Sequence, residues 1–183
     1  FITSEWNIGA WNEHTQEAAF AIASVGLLQG WDGILQFVLN PEPTFEGAPA
    51  LNDRFFNVAD NPSVILQYAT FSRMWHRRDI AQAPPVYIRR IGPHNLHEPG
   101  PLQTRYIPMA FMGTTRPIGP AEDEYGYILP AVGRVGNAFV TEEQPHLEHP
   151  AIGDYLDAEN QVARSMTGEL TWDWGRGCML VDS

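Results

Sequence analysis

The first forty residues contain two short apolar runs separated by a long apolar segment. Residues 1–3 begin a run typical of a strand buried on both faces, and residues 33–39 form a second such run. Between them, residues 18–28 are almost entirely apolar, with polar capping residues before them and Gly30 after them. This pattern predicts a strand–helix–strand unit in which a right-handed crossover joins two parallel strands.

A second helical pattern begins at Asn61 and Pro62, which are typical of a helix start. One apolar stripe follows at helical spacing, and the last turn is basic: Val64, Ile65, Tyr68, Phe71, Met74 and Trp75, then Arg73, His76, Arg77 and Arg78. Cations in a last turn complement the helix dipole, so we interpret them as surface groups and not as a binding patch.

A Pro-rich polar segment, residues 40–57, precedes this helix and is long for a loop. Loops that follow parallel strands often border a functional site, so two interpretations stay open. The segment is either a plain solvated loop or a source of substrate contacts from Glu42, Glu46, Asn52, Asp53 and Arg54.

After Pro84 and Pro85 the helical pattern gives way to short apolar runs between Pro, Gly and charged turns. They predict strands over residues 86–91, 105–111, 125–129, 134–140, 169–174 and 178–181. We expect residues 84–183 to form a small, incomplete, antiparallel β domain that resembles a β-sandwich. Trp172 and Trp174 lie on one face of a predicted strand, where core packing is favoured over a sugar-binding platform.

Composition and charge place the chain among folded acidic proteins. Apolar residues make up 44% of the 183 residues and charged residues only 18%, which excludes a disordered tail. The formal charge of -11 argues against nucleic acid as a partner, and no apolar run reaches the length of a membrane span. A single cysteine, Cys178, excludes an internal disulfide framework.

Glu5 is the most informative candidate for chemistry, because it follows the first strand directly. The carboxyl ends of parallel strands build the functional site in (β/α) folds. A carboxylate at that position is a candidate catalytic group. Aromatic rings and amides that lie near it in the sequence are candidates for ligand contacts: Trp6, Trp11, Trp31 and Phe37, then Asn7, Asn12 and Gln36. Asp32 either lines such a site or caps a turn.

Two histidine-containing segments are candidate metal sites. His94, His97 and Glu98 form one, and His146 and His149 flank Glu148 in the other. Neither continues with further ligands at regular spacing, so we interpret both as solvated loops and expect no metal.

The residues around Glu5 resemble a known family. Ser4-Glu5-Trp6-Asn7, Asn12, Glu17, residues 28–34 and Gln36-Phe37 are similar to strands seven and eight of retaining glycoside hydrolases of clan A, of cellulase or β-galactosidase type. The likeness returns at residues 167–173 and 177–182. It implies an α/β fold in which residues 1–83 are the last strands and helices of a TIM (β/α)8 barrel, followed by the β domain.

The resemblance implies a function and a partner. Glu5 is expected to be the catalytic nucleophile of an enzyme that hydrolyses a β-linked carbohydrate with retention, without a cofactor. It would attack the anomeric carbon, with a second carboxyl group about 5 Å away as acid and base. The aromatic rings and amides named above would then contact the sugar ring and its hydroxyls. The acid/base Glu of this family ends strand four and is not in the chain. We therefore expect the chain alone to be inactive and to need the amino-terminal part of the barrel, from the same chain or a complementary one. The alternative is a non-catalytic carbohydrate-binding or structural segment of a larger assembly.

Overall fold

The computed structural model describes residues 1–9, 12, 14–39, 56–59, 61–94, 128–145 and 147–183. Its strands are β1 (Ile2–Trp6), β2 (Gly33–Gln36), β3 (Pro85–Ile91), β4 (Arg134–Phe139), β5 (Leu147–Glu148), β6 (Leu156–Asp157), β7 (Val162–Arg164), β8 (Leu170–Asp173) and β9 (Cys178–Val181). Its helices are α1 (Thr15–Gln29), α2 (Pro62–Ile65), α3 (Tyr68–Arg77), α4 (Leu129–Val132) and a 3-10 helix (Ile152–Tyr155).

The predicted strand–helix–strand unit is confirmed: β1 and β2 are parallel neighbours joined through α1. At the first residue of α1, the Thr15 hydroxyl donates to the carbonyl of Asn12 at 2.6 Å. At its other end, Gly30 adopts the left-handed conformation with φ 73°, and its N–H bonds the carbonyl of Leu27. Glycine tolerates this conformation without the steric cost of a Cβ, so the helix ends where the sequence predicts.

Helix α1 has apolar residues on most of its surface, and neighbouring elements cover most of that surface. Leu27 and Leu28 are buried, and they pack with Phe71 and Met74 of α3. The backbone of Gly26 is so close to β2 that an added Cβ would lie 2.9 Å from Ile34 Cδ1. A larger residue at position 26 would therefore separate the helix from the strand.

One hydrophobic core extends from the first half of the chain into the second. Ala131 and Leu170 belong to the same cluster as the buried residues of α1 and α3. At the end of α1, the Gln29 side chain donates to the carbonyls of Pro130 and Gly133 and accepts from Val135 N. The predicted boundary between residues 83 and 84 therefore does not coincide with a break in the core.

The second half contains two kinds of sheet, where the sequence predicted only antiparallel pairing. β6, β7, β8 and β9 form an antiparallel sheet in that order. The other sheet has the strand order β4-β3-β5. In it, β3 is antiparallel to β5 but parallel to β4. The wholly antiparallel prediction is therefore wrong for this sheet. The alternation of apolar and polar side chains along a strand does not indicate whether its neighbour is parallel or antiparallel. The long connection from β3 to β4 decides this pairing.

The predicted strands were found in part. Those over residues 86–91, 134–140, 169–174 and 178–181 correspond to β3, β4, β8 and β9, whereas β5, β6 and β7 were not predicted. Residues 105–111 and 125–127 lie outside the described ranges, and Leu129 begins a helix instead of ending a strand. Within the described residues the sheets are open and none closes into a barrel.

Candidate functional site

The carboxyl-terminal edge of β1 and β2 is where the structure brings together several predicted site residues. Trp6 and Gln36 are the last register pair of the two strands, and Phe37 N donates to the Trp6 carbonyl at 2.8 Å. Glu5 precedes Trp6, and Asn7 follows it. The two strands are parallel, so all five residues lie at the same edge of the sheet.

The two faces of this sheet have different surroundings. Ile34 faces α1, and Trp6 packs against the core. On the face away from the helix, Ile2 and Leu35 are 58% and 56% exposed. A register irregularity lies between Thr3 and Trp6, and the intervening Glu5 side chain is exposed. Glu5 is thus an exposed side chain near the carboxyl-terminal edge of a sheet whose face away from the helix has exposed apolar side chains.

Gln36 is oriented by Tyr68, a residue that the sequence indicated only as part of an apolar helix stripe. The Tyr68 hydroxyl donates to Gln36 Oε1 at 2.5 Å, and burial raises the pKa of Tyr68 to about 12. Gln36 Nε2 is buried and has no hydrogen-bond partner within the described part of the chain. An unsatisfied buried donor is costly, so this amide is suited to an acceptor that arrives at the edge.

Asn7 and Phe37 contact the segment that follows β2. Asn7 Nδ2 donates to the Phe56 carbonyl at 2.7 Å, and the Phe37 and Phe56 rings meet edge-on with centroids 5.7 Å apart. The Phe37–Val38 peptide bond is cis. Asn7 therefore tethers residues 56–59 to the edge, while the Phe37 ring is still 42% exposed.

Trp31 and Asp32 are not brought together with Glu5. Both precede β2, so they lie at the amino-terminal end of the parallel pair, beside Phe1. The Trp31 ring lies 5.3 Å from the Phe1 ring. The Asp32 carboxylate accepts from the Phe1 ammonium at 2.5 Å, which lowers the pKa of Asp32. The structure therefore places Trp31 and Asp32 at the end of the strand pair opposite Glu5, and it does not bring them together with the other predicted sugar contacts.

Several other candidates have structural roles or lie outside the described residues. Asn12 Oδ1 accepts from His14 N at 2.8 Å, which helps to order the turn before α1. Trp11, the candidate contacts Glu42, Glu46, Asn52, Asp53 and Arg54, and the histidine-segment residues His97, Glu98 and His146 are not described. Among the residues that are described, no three His, Cys, Asp or Glu side chains assemble as metal ligands.

Trp172 and Trp174 lie on the inner face of their sheet. Their ring centroids are 6.5 Å apart, and both pack against a buried cluster that contains Val86 and Val132. Trp172 pairs in register with the buried Ala163. This placement favours core packing over a sugar-binding platform.

We expect the burial of the Tyr68 hydroxyl, which raises its pKa, to make stability fall at alkaline pH. Unfolded Tyr68 ionises near its usual pKa of 10.0, whereas the folded protein keeps the proton to about 12, so this contribution is present below pH 10 and is lost as pH rises towards 12. At pH 8 the Tyr68→Phe variant should be less stable by about 1 kcal/mol. Urea unfolding of both proteins between pH 8 and 11.5 measures the gap, which should shrink above pH 10. A gap that stays constant would contradict the role assigned to Tyr68.

Comparisons with known proteins assign no family to the chain. No protein-family model matches it, and no curated protein or solved structure is significantly similar to it. No helix in the described ranges has both the length and the apolar character needed to cross a bilayer. The function must therefore be inferred from the residues of the chain and their geometry.

Proposed function

We propose that this chain supplies the nucleophile and one wall of the sugar site of a retaining glycosidase that acts on a β-linked carbohydrate. The observation that supports this function best is the parallel β1–α1–β2 unit. It places the exposed Glu5 side chain at the same edge as Gln36 and Phe37. A carboxylate, an amide donor and an exposed ring at one edge match the needs of a sugar site.

The proposed chemistry assigns one role to each group. Glu5 attacks the anomeric carbon and forms a glycosyl ester as the leaving oxygen takes a proton from an acid/base carboxyl group; water then hydrolyses the ester. Gln36, which lies at the same edge, donates from its unpartnered Nε2 to a substrate hydroxyl that reaches this edge. Phe37 offers an apolar ring face to the sugar.

The acid/base group requires further strands, and the exposed face of the sheet supports this partner. Parallel strands are almost always covered on both faces, yet Ile2 and Leu35 are more than half exposed. We propose that further parallel strands, from the same chain or a complementary one, cover this face. They would bring a second carboxyl group to about 5 Å from Glu5. This assembly is the carboxyl-terminal part of a (β/α)8 barrel joined to its missing strands.

The test is covalent labelling of the assembled protein with activated 2-fluoro β-glycosides. The 2-fluoro group slows hydrolysis of the ester, so a retaining enzyme accumulates an adduct that peptide mass spectrometry locates. We expect the adduct on Glu5. It should be absent from the Glu5→Gln variant and present in Glu142→Gln, which removes an exposed carboxylate elsewhere in the chain. An adduct on another carboxylate would remove Glu5 from the role of nucleophile.

A second candidate function is a non-catalytic carbohydrate-binding or structural segment. The observation in its favour is the open surrounding of Glu5, which stands exposed on a sheet of two strands within the described residues. The two functions differ in one measurement. If the assembled protein binds glycans but no 2-fluoro glycoside in a broad panel labels it, the non-catalytic function stands.

A further inference from the structure

A polar cavity of about 890 Å³ lies on the outer face of the antiparallel sheet, and Glu5 is not among its lining residues. Asp157, Val162 and Asp173 form one cross-strand row of this face. Ala163 and Trp172, on the neighbouring row, point to the opposite, buried side. Because side chains alternate along a strand, the cavity and the tryptophan pair occupy different faces of the same sheet.

Turns at the strand ends hold two of the cavity's four carboxylates, Asp157 and Asp173, in place. The Asp157 carboxylate accepts from Asn160 N at 3.0 Å and from Asn160 Nδ2 at 2.8 Å. Asp173 Oδ1 accepts from Arg176 N at 2.9 Å, and its other oxygen lies 3.6 Å from Arg176 Nε. These local bonds orient both carboxylates before any ligand binds, which reduces the entropy lost on binding.

The cavity offers acceptors, donors and a ring in one place. Besides Asp157 and Asp173, the cavity is lined by two further carboxylates, Asp154 and Glu159, and by the Arg164 guanidinium, the Asn160 amide and the half-buried Tyr155. Hydrogen bonds from Asn160 lower the pKa of the Asp157 carboxyl group, and the nearby charge of Arg164 lowers it further. The volume of the cavity falls within the range of about 300–1,000 Å³ that is usual for small-ligand sites.

This lining selects the chemical class of the ligand. An apolar ligand would leave the charged groups desolvated and unpaired. An anion would meet more carboxylates than guanidinium groups, on a chain of formal charge -11. A cation would meet Arg164 and Arg176, and the Asp157 and Asp173 carboxylates already accept hydrogen bonds from their turns. Hydroxyl groups both donate and accept, so a neutral polyhydroxyl ligand satisfies carboxylates and guanidinium groups together.

We infer that this cavity is a binding site for a neutral oligosaccharide, separate from the edge that contains Glu5. The inference does not depend on the proposed catalytic function. A chain that binds glycan here without hydrolysing it would keep this site and lose only the glycosidase proposal.

The test is a titration of the ¹⁵N-labelled full chain with neutral tetrasaccharides. The probes are β-1,4-linked glucose, xylose, mannose and galactose tetramers, and a hexalysine peptide tests a cationic ligand. We expect at least one tetrasaccharide to shift the backbone amides of Asn160 and Arg176. The Arg164→Ala variant should bind it about tenfold more weakly, because it loses a charged hydrogen-bond donor. Arg73→Ala, an exposed arginine on α3, should bind it as the unmodified chain does.

Three outcomes would overturn the inference. The first is the absence of any shift at these amides with every tetrasaccharide at millimolar concentration. The second is tetrasaccharide binding that Arg164→Ala leaves unchanged. The third is tighter binding of hexalysine than of every tetrasaccharide. The Glu5→Gln variant should retain the tetrasaccharide-induced shifts, so failure at Glu5 and failure at this cavity are distinguishable.

Discussion

Replacing Glu5 with alanine should lower hydrolysis of aryl β-glycosides by the assembled enzyme by roughly 10³-fold or more, as expected for loss of a catalytic nucleophile. The exposed Glu5 side chain belongs to neither hydrophobic core cluster, so folding should be unaffected. Added azide should restore turnover, because the small anion fits the space left by the carboxylate and attacks the same anomeric carbon. The restored product should be a glycosyl azide of inverted, α configuration.

The control for this experiment is Glu142→Ala, which should keep full activity without azide. Circular dichroism of both variants checks that the fold is intact. A Glu5→Ala enzyme that retains activity would contradict the nucleophile assignment. Azide rescue that yields a β-glycosyl azide would contradict direct attack at the position vacated by Glu5.

Leu28→Ala should destabilise the chain by about 3 kcal/mol, the largest stability effect that we expect from a single truncation. Leu28 is fully buried on α1, in the cluster that also contains Phe71 of α3 and Leu170 of β8. Its backbone carbonyl also accepts from Ala83 N at 3.0 Å, which holds the end of the helix in place. Truncation leaves a cavity that these packed elements cannot close. Urea unfolding followed by circular dichroism measures the change.

Leu35→Ala is the matched control, since the same atoms are removed from a side chain that is 56% exposed. In the chain alone it should cost less than about 1 kcal/mol. In the assembled enzyme the same change should cost about 2 kcal/mol or more, because the proposed strands would bury Leu35. If Leu35→Ala costs as little in the assembly as in the chain alone, further strands do not cover Leu35. If Leu35→Ala and Leu28→Ala cost equally much in the chain alone, the difference in burial between the two side chains is contradicted.

Local sequence chemistry predicted much of the first half of the chain. The apolar segment before Gly30, and the Asn61-Pro62 start of the next helical region, depend on neighbouring residues, and α1, α2 and α3 occur where these signals predict them. That region is nevertheless divided at Leu66 and Gln67, which separate α2 from α3. The candidate site was less predictable, because its members must share one end of a sheet. Gln36 and Phe37 join Glu5 there, while Trp31 and Asp32 lie at the opposite end.

Contacts between distant residues explain what sequence reasoning missed. Tyr68 is 32 residues from Gln36, and no local pattern links its hydroxyl to that amide. A tyrosine in an apolar stripe does indicate that its hydroxyl needs a hydrogen-bond partner. This is the only feature of the sequence that points to the bond made by Tyr68. The cavity on the antiparallel sheet needs three strands and two turns to come together, and two of those strands, β6 and β7, are too short to show an alternating pattern.

The sequence by itself determined the parallel strand–helix–strand unit, the burial of α1, the end of α1 at Gly30 and the acidic charge, because periodicity, capping and composition act over a few residues. The tertiary structure alone decided the direction of β3 relative to β4, the end of the sheet at which each candidate lies, the Tyr68–Gln36 bond and the face that holds the cavity. Those features depend on which distant segments pair, and pairing is set by the packing of the whole core.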